Sequence, residues 1–493
     1  MIPESRLVAQ LMSESILLAG LGALCGALLA HALSRGLVLF LSSGETELYL
    51  PLGVDWRVFG FTTALALLTC LLFGLTPAIR ATRIAPADAM RGGRGSSSTS
   101  QRHGLRRALV VSQIALSLVL LVGALLFGQS LRNLLATDTG FVSDGILVAT
   151  VTARTPTLEP ERRLSVFEQL REGIDSMPDV ASAASVLFSP FSNSSWNQSM
   201  RPEGADSSTQ NTEAWLNRVG PGYFATMQTP LLTGRDFDAR DSQAPKVAIV
   251  NEEFAEKLFG GEDPVGRTFR YEANAGEADP VFQIVGLVKN TKYNGLREET
   301  RPIVFLPFKQ KDNELDEMSF MIRSRGAFNT VMAGVQQQMA EIDPGLLVEF
   351  RILDDQVARS VLRERLMANL SGAFGLLAAM LSTLGLYGVM SYMVARRRNE
   401  IGVRIALGAE TRDILGLVFG EAGRLLLIGL AVGLLGSFAL SRYAESLLFG
   451  LQPNDTLTLT LGCALLAVTG VFAAILPARR AARLDAAVVL RDE

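Results

Sequence analysis

Residues that commonly do chemistry are scarce in this chain, and their spacing does not suit catalysis or metal binding. The two histidines, His31 and His103, have no partner at metal-ligand spacing, and the three cysteines, Cys25, Cys70 and Cys463, all lie in apolar blocks. The stretch 133–362 has no histidine, no cysteine and no Gly-x-Ser-x-Gly elbow. We therefore predict no catalytic residues, no metal site and no enzymatic activity.

A charged segment, residues 396–409, has a spacing that suits binding to another protein. Its sequence is RRRNEIGVRIALGA. In a helix Glu400 and Arg404 lie four residues apart and can pair, while Ile401 and Ile405 form an apolar stripe. A short amphipathic helix of this kind fits a groove on a partner. The alternative is a basic membrane anchor alone, and the glycines of the segment favour docking.

Long uncharged runs flank this segment and must position it. A bilayer core needs roughly 20 apolar residues in a helix, and soluble core helices rarely run uncharged for so long. The chain has six such runs, lying between Glu14 and Arg35, Arg57 and Arg80, Arg107 and Arg132, Arg365 and Arg396, Arg424 and Arg442, and Asp455 and Arg479. We predict about six transmembrane helices.

Arginine placement orients these spans, because positive residues in short loops tend to stay in the cytoplasm. The loop 80–107 carries seven arginines against one acidic residue, whereas residues 41–55 carry three acidic residues and no lysine or arginine. We predict a multi-pass protein of the inner (plasma) membrane with both termini cytoplasmic and residues 133–362 periplasmic. Membrane lipid is thus an expected partner, and the net charge of −3, a sum over compartments, gives no reason to expect nucleic acid.

The two ends of the chain resemble each other. Residues 14–35 match residues 421–442, including the glycine pairs at 22 and 26 and at 429 and 433, and residues 77–91 match residues 477–491. We interpret the first two spans as an earlier copy of the last two. By this alignment the chain begins inside a repeat, which suggests a truncated form of a duplicated eight-span protein.

The long outer stretch is predicted to be an α+β domain. Short β-branched runs at 147–151, 246–250 and 281–288 are typical of strands. Helices are predicted at 160–176, 251–259 with Asn251 as the cap, 327–341 and 354–366, the last running into the next span. The polar loop 194–197 is interpreted as a surface turn.

The segment 396–409 resembles the FtsX/MacB-like permeases, also called type VII ABC permeases. Four outer segments are similar to the MacB periplasmic core domain of that family: Pro221–Phe224, Gly234–Phe237, Val247–Asn251 and Pro264–Gly266. The duplication resembles that of the acidobacterial-type duplicated (ADOP) permeases, although this sequence lacks their first two spans and first outer domain. The implied fold is an α-helical integral membrane protein with one large α+β extracytoplasmic MacB-like core domain.

The resemblance implies that a dimer of a cytoplasmic ABC ATPase docks on the loop after the second span of each repeat. No Gly-x-x-x-x-Gly-Lys-Ser/Thr phosphate loop occurs in the sequence, so we expect no bound cofactor, with ATP and Mg²⁺ held by the ATPase. The residues predicted to contact the ATPase are Arg397, Glu400, Ile401, Gly402, Arg404, Ala406, Gly408, Ala409 and Ile414.

The implied function is that of a permease subunit that couples ATP hydrolysis to movement of its periplasmic domain for export or efflux, a mechanism called mechanotransmission. Two alternatives stay open: an FtsX-like signalling or scaffold protein that regulates a cell-wall hydrolase, and a non-functional fragment of a duplicated permease. The resemblance also implies a homodimer or pairing with another permease half, and a periplasmic adaptor is a further candidate partner.

The predicted domain layout follows from the spans, the repeat and the resemblance. Residues 1–91 are the last two helices of a first FtsX-like repeat, and residues 92–105 are a cytoplasmic linker. A transmembrane helix at 106–132 then leads to the MacB-like core domain at 133–362. Residues 363–493 are an FtsX-like domain with three spans and the coupling loop 396–415.

Overall fold

The computed structural model describes most of the chain, in two compact units. The residues described are 4–41, 56–70, 97–153, 160–204, 211–242, 245–271, 279–310, 316–451 and 455–484. Unit 1 comprises residues 1–126, 369–445 and 453–493, and unit 2 comprises residues 127–368 and 446–452. The linker and repeat residues between 71 and 96 lie outside the described ranges.

Unit 1 consists of long helices. They are Glu4–Leu41, Trp56–Cys70, Ser97–Leu135, Leu362–Arg396, Arg398–Ala406, Thr411–Ala444 and Thr456–Ala482, of which the third and fourth also carry residues of unit 2. Within the described residues, five stretches are long and apolar enough to cross a membrane: Ser15–Gly36, Arg106–Leu135, Leu362–Arg396, Thr411–Leu447 and Thr456–Ala482.

These five stretches agree with five of the six predicted spans, and the sixth is described only in part. The helix Trp56–Cys70 covers the beginning of the run between Arg57 and Arg80, and residues 71–80 lie outside the described ranges. Residues 97–105 of the predicted flexible linker are helical and continue into the span Arg106–Leu135. The helical state of residues 97–105 differs from the prediction. An existing helix extends at little cost, because each added residue gains one backbone hydrogen bond.

Glycines bring the helices of unit 1 close together. A Cβ atom added at Gly429 would lie 2.6 Å from Ile114 Cγ2, and one at Gly433 would lie 3.0 Å from the Ala115 carbonyl oxygen. The glycine pair of the helix Thr411–Ala444, four residues apart, therefore packs on the helix Ser97–Leu135, where only a hydrogen atom fits. The matching Gly22 would meet no described atom within 4 Å.

Unit 2 contains a sheet of eleven strands within the described residues. The strands are β1 (Ile146–Ala153), β2 (Val180–Val186), β3 (Trp196–Pro202), β4 (Thr212–Val219), β5 (Leu231–Gly234), β6 (Val247–Asn251), β7 (Thr268–Tyr271), β8 (Val281–Val288), β9 (Ile303–Pro307), β10 (Glu317–Ser324) and β11 (Leu346–Ile352). Its helices are Pro160–Asp175, Tyr223–Met227, Glu252–Phe259, Phe328–Ile342 and Leu353–Ser360.

Four strands and two helices form the first part of this unit. The strand order is β11-β1-β10-β2 with antiparallel neighbours, and the helices Pro160–Asp175 and Phe328–Ile342 each connect two of these strands. This order is that of a ferredoxin-like β-α-β-β-α-β fold, interrupted between β2 and β10. Its core combines Phe167, Ile174 and Val335 from the helices with Leu147 and Phe320 from the strands.

The interruption forms the second part, in which strand pairing closes on itself. The order β4-β3-β7-β8-β6-β9 ends with β9 pairing parallel to β4, which gives a ring of six strands. Its core includes Met200, Ala248 and Phe254, and the Phe269 and Phe282 rings stack with centroids 5.6 Å apart. Closure removes free strand edges, which are otherwise sites of aggregation.

Asn251 ends β6 and starts the next helix, as predicted. Its side-chain oxygen accepts hydrogen bonds from the N–H groups of Phe254 at 3.1 Å and Ile303 at 2.8 Å. Its amide donates to Asn290 Oδ1 at 2.8 Å and to the Arg301 carbonyl at 2.7 Å. This fully buried side chain therefore caps the helix Glu252–Phe259 and ties three segments together.

The three strands predicted in the outer stretch are present as β1, β6 and β8, and the four predicted helices are present within a few residues. The helix predicted at 354–366 is divided at Val361, after which Leu362–Arg396 begins. Eight strands were not predicted. Most of them are short or mixed in polarity, so that only their pairing partners make them strands.

Candidate functional site

The segment 396–415 lies in unit 1, where it joins two long helices. The helix Leu362–Arg396 ends at the arginine run, the short helix Arg398–Ala406 follows, and the helix Thr411–Ala444 begins two residues after the turn at Gly408 and Ala409. The predicted short amphipathic helix is therefore present, with its own start and end, and its coupling role stays a prediction. We refer to this helix, Arg398–Ala406, as the coupling helix.

The turn after the short helix depends on Gly408. Its φ is +95°, in the left-handed region that favours glycine. The Gly408 N–H donates to the Ile405 carbonyl and the Ala409 N–H donates to the Arg404 carbonyl, each at 3.0 Å. These two bonds form a Schellman motif, which satisfies the last carbonyls of the helix. The sequence Leu-Gly-Ala thus ends the coupling helix at a defined residue.

The next helix begins with a capping box. The Glu410 N–H donates to Asp413 Oδ2 at 3.0 Å, and the Glu410 side chain accepts from the Asp413 N–H in return. Both ends of the turn are therefore defined by hydrogen bonds.

Three of the nine predicted contact residues point into the core of unit 1. Ile401 and Ile414 are 1% and 2% exposed, and Gly402 is also buried. Ile401 and Ile414 belong to one apolar cluster with Val394 and Val418. These residues hold the coupling helix to the bundle, and their part in binding a partner stays a prediction.

The other six predicted residues are at least partly accessible. Glu400, Arg404, Ala406 and Gly408 are exposed, while Arg397 and Ala409 are half-buried. Arg404 Nη2 lies 2.7 Å from Glu400 Oε1, so the predicted pair four residues apart forms. Because both side chains are about half exposed, this pair contributes only a few tenths of a kcal/mol, roughly 0.3–0.5, to the helix.

Two exposed apolar residues were missing from the prediction. Leu407 is 82% exposed and Val403 is 44% exposed. They are four residues apart and flank Arg404, on the side of the helix opposite to the buried Ile401. The same helical spacing that picked out Ile401 and Ile405 also links Val403 and Leu407, and this signal was available in the sequence.

We name the surface formed by Val403, Arg404 and Leu407 the docking ridge. An exposed apolar pair beside an arginine suits a protein-binding surface, because the buried centre of such an interface is apolar and arginine is enriched there. Within the described residues, no group of three histidine, cysteine or acidic side chains could hold a metal ion. The ridge therefore suits recognition of a partner.

A second arrangement of interest lies in unit 2, around the loop 446–452 that joins the last two long helices. The Arg297 Nη2 atom donates to the Leu447 carbonyl at 2.6 Å, and Arg297 Nη1 lies 3.7 Å from Glu364 Oε1. The Phe449 N–H donates to Ser130 Oγ at 2.9 Å. One guanidinium of the outer domain thus contacts both this loop and the base of the helix Leu362–Arg396. No sequence motif predicted this contact.

Two of the four outer segments that carried the family resemblance, Pro221–Phe224 and Gly234–Phe237, contact each other. The Gly222 N–H donates to Asp236 Oδ2 at 3.1 Å, and the two guanidinium nitrogens of Arg235 each lie 2.7 Å from one oxygen of Asp241. Burial raises the pKa of Asp236, whereas the hydrogen bonds from Arg235 lower the pKa of Asp241. These contacts therefore hold the segments 221–224 and 234–241 together within unit 2.

Two family models match the chain. The model described as the MacB-like periplasmic core domain matches residues 108–342, and the model described as the FtsX-like permease C-terminal matches residues 2–86 and again residues 372–486. Together they match most of the sequence. The second model matches both ends of the chain, which are the ends that the internal alignment pairs.

Curated relatives agree with these models. The macrolide export ATP-binding/permease protein MacB of Azoarcus sp. (strain BH72) is 27% identical over 303 residues, which are 59% of this chain and 44% of that protein. The pyoverdine export ATP-binding/permease protein PvdT of Pseudomonas syringae pv. tomato is 31% identical over 287 residues, 55% of this chain and 42% of that protein. The chain thus matches less than half of the length of these relatives.

A solved structure, the periplasmic region of MacB from Actinobacillus actinomycetemcomitans, aligns with 45% of this chain and 95% of that chain, with 15% identity and a TM-score of 0.29.

Proposed function

The chain belongs to the FtsX/MacB-like permeases, the type VII ABC permeases, and we propose that it is the permease subunit of an ABC exporter that a separate ATPase drives. The observation that carries this proposal is the short helix Arg398–Ala406, whose docking ridge faces away from the chain's own core. The relatives are named as ATP-binding/permease proteins for export, so an export role is consistent with the family.

ATP and Mg²⁺ are bound by the partner in this proposal. These 493 residues contain no Gly-x-x-x-x-Gly-Lys-Ser/Thr motif, the loop whose backbone N–H groups hold ATP phosphates. The ATPase, working as a dimer, would receive Leu407 and Val403 in an apolar groove, with Arg404 at the rim. The permease would form a homodimer or pair with another permease half, so that each ATPase subunit meets one docking ridge.

The proposed mechanism transmits ATPase closure to the outer domain. The helix Leu362–Arg396 carries residues of both units and leads directly to the coupling helix. The Arg297 contacts to Leu447 and Glu364 tie the outer domain to the loop between the last two spans. A shift of the docking ridge would therefore act on the outer domain through covalently continuous helices and this guanidinium contact.

The proposed topology places the docking ridge and both termini in the cytoplasm and residues 133–362 in the periplasm. It rests on the arginine bias and can be tested separately. In a variant whose own three cysteines are serines, Leu407→Cys should react with a membrane-impermeant maleimide only after the inner membrane is opened. Glu349→Cys should react in intact spheroplasts. The reverse result would refute the topology and the docking proposal with it.

A photo-crosslinking experiment tests the partner. The photoreactive residue p-benzoylphenylalanine is placed at Leu407 or, as a control, at Tyr443, which is 85% exposed near the other end of the helix Thr411–Ala444. We expect a crosslink at residue 407 alone, to a protein that mass spectrometry identifies as carrying the phosphate-binding loop. Absence of such a protein at 407, or equal crosslinking at 443, would refute the proposal.

The same preparation separates the transporter from the FtsX-like scaffold alternative. An exporter should show ATP hydrolysis that increases when a transported compound is added to the reconstituted complex. Capture of a cell-wall hydrolase by the outer domain, without any such stimulation, would favour the scaffold role instead.

A further inference from the structure

A cavity of about 450 Å³ opens in unit 1 next to the coupling helix. Its wall contains Arg106 and Arg107 from the start of one predicted span and Arg396 and Arg397 from the end of another. The cavity belongs neither to the docking ridge nor to the contacts of Arg297. Its size lies in the range of pockets that hold small ligands.

The charge of the lining is positive. Four arginines face two acidic residues, Glu400 and Glu421. The acids already have basic neighbours on the rim: Arg107 Nη2 lies 2.5 Å from Glu421 Oε1, and Glu400 lies between Arg397 and Arg404. The lining therefore has an excess of positive charge over negative charge, which an anion would balance.

The Arg106 guanidinium is held in place by an aromatic ring. Its carbon lies 4.2 Å from the centre of the Tyr392 ring, a cation–π distance. A guanidinium stacked in this way presents its N–H groups in a fixed plane, which suits the oxygens of a phosphate. The side chains of Val389, Met390 and Met393 also line the cavity and make part of its wall apolar.

The depth of the cavity indicates the source of the anion. The predicted spans begin at Arg106 and end at Arg396, so both arginines lie where apolar helix meets the polar boundary of a bilayer. Lipid phosphates occupy this level, and basic pockets between spans on the cytoplasmic side bind anionic headgroups. The positive rim suits the anionic headgroup of a phospholipid, and the apolar part of the wall suits the acyl chains that continue from it.

We propose that this cavity binds the phosphate-bearing headgroup of an anionic phospholipid, with Arg106 and Arg396 as its main ligands. The bound lipid would link the start of one span, at Arg106, to the end of another, at Arg396, beside the coupling helix. Membrane composition would then affect the position of that helix.

The test uses the full chain in nanodiscs of equal phosphatidylglycerol and phosphatidylcholine. Lipids that stay bound after extraction are counted by native mass spectrometry. We expect the wild-type protein to retain phosphatidylglycerol preferentially and the variant Arg106→Gln/Arg396→Gln to reduce that preference by about 25-fold, since two arginines are removed and each contributes a factor of about five to anionic lipid binding. The variant Arg106→Lys/Arg396→Lys keeps the charge but lacks the guanidinium plane, so it should recover part of the preference, and that recovery shows that the loss is not misfolding.

A matched control is Arg412→Gln/Arg479→Gln, which removes the same charge at exposed residues outside the cavity. Equal loss of phosphatidylglycerol in this control would overturn the proposal, because general attraction to basic residues would then explain retention. Displacement of the lipid by millimolar inorganic phosphate at constant ionic strength would also overturn it in favour of a free-anion site. If the Gln variant keeps its lipid preference but loses the ATPase, the arginines belong to the protein interface and the lipid site is refuted.

Discussion

Truncation of Leu407 should weaken ATPase binding without affecting the fold. The side chain is 82% exposed, so almost all of its apolar surface is available for burial against a partner. Leu→Ala removes the equivalent of three CH₂ groups, worth about 0.8 kcal/mol each when fully buried. Scaled to the exposed fraction of Leu407, the lost binding free energy is about 2 kcal/mol, which is a loss in affinity of about 30-fold.

The assay measures the Kd between the permease in nanodiscs and the ATPase that crosslinks at residue 407. Leu407→Ala should raise this Kd about 30-fold and leave the thermal unfolding midpoint unchanged, because an exposed side chain contributes little to stability. Leu407→Met, similar in size and polarity, should bind nearly as the wild type. Ile401→Ala should give the opposite signature, since Ile401 is 1% exposed and its loss leaves a cavity that costs about 2–5 kcal/mol of stability.

Two results would refute this reasoning. A Kd for Leu407→Ala within about threefold of the wild type, under 1 kcal/mol, would show that the ridge is not buried in the complex. A fall in the unfolding midpoint as large as that of Ile401→Ala would show that Leu407 packs within the chain.

Three further predictions concern the outer domain. Arg297→Gln should leave ATP hydrolysis intact but lower transport per ATP severalfold, because the contacts to the outer loop, worth about 1–2 kcal/mol, are lost. Asn251→Ala should destabilise unit 2 by about 3 kcal/mol or more, because it removes a cap and leaves buried groups without partners. Arg235→Gln should lower stability by about 1–2 kcal/mol at neutral pH, with allowance for the partial exposure of Arg235, and the difference should shrink under acid. The folded-state pKa of Asp241 lies below its ordinary value of 3.8, so the stability it gains from Arg235 is present above that pH and is lost as the pH falls through the folded-state pKa.

Controls for these predictions come from exposed residues of the same domain. Arg297→Lys keeps one charged donor and should recover part of the transport. Asn211→Ala, at an exposed asparagine, should leave thermal unfolding followed by tryptophan fluorescence unchanged. Arg351→Gln, which breaks a surface pair with Glu349, should show no comparable dependence on acid pH. Normal transport in Arg297→Gln, wild-type stability in Asn251→Ala, or a deficit in Arg235→Gln that grows below pH 3.8 would contradict the respective prediction.

The long helices were predictable because the bilayer demands runs of about 20 uncharged residues, a local signal that survives without knowledge of the fold. The cap at Asn251 and the turn at Gly408 were also marked by residue type. In each case the chemistry of one residue decides the local structure. The Asn251 side chain accepts hydrogen bonds from backbone N–H groups, and Gly408 has no Cβ atom to oppose a left-handed backbone.

The strand pairings were not predictable in the same way. The ring closes because β9 pairs with β4, segments that are far apart in the sequence, and no local pattern specifies that contact. The guanidinium of Arg297 is a similar case. Its partners, Leu447 and Glu364, are brought to it only by the folded domain.

By itself the sequence determined that this protein is built from apolar spans, that it carries an α+β domain, and that the segment 396–409 contains a short amphipathic helix between two spans. Only the tertiary structure decided that Ile401 is buried while Leu407 is exposed, and that arginines from two spans surround one cavity. The physical reason is that apolar residues on a short helix are chemically alike, and which of them meets a neighbour depends on how the helices pack.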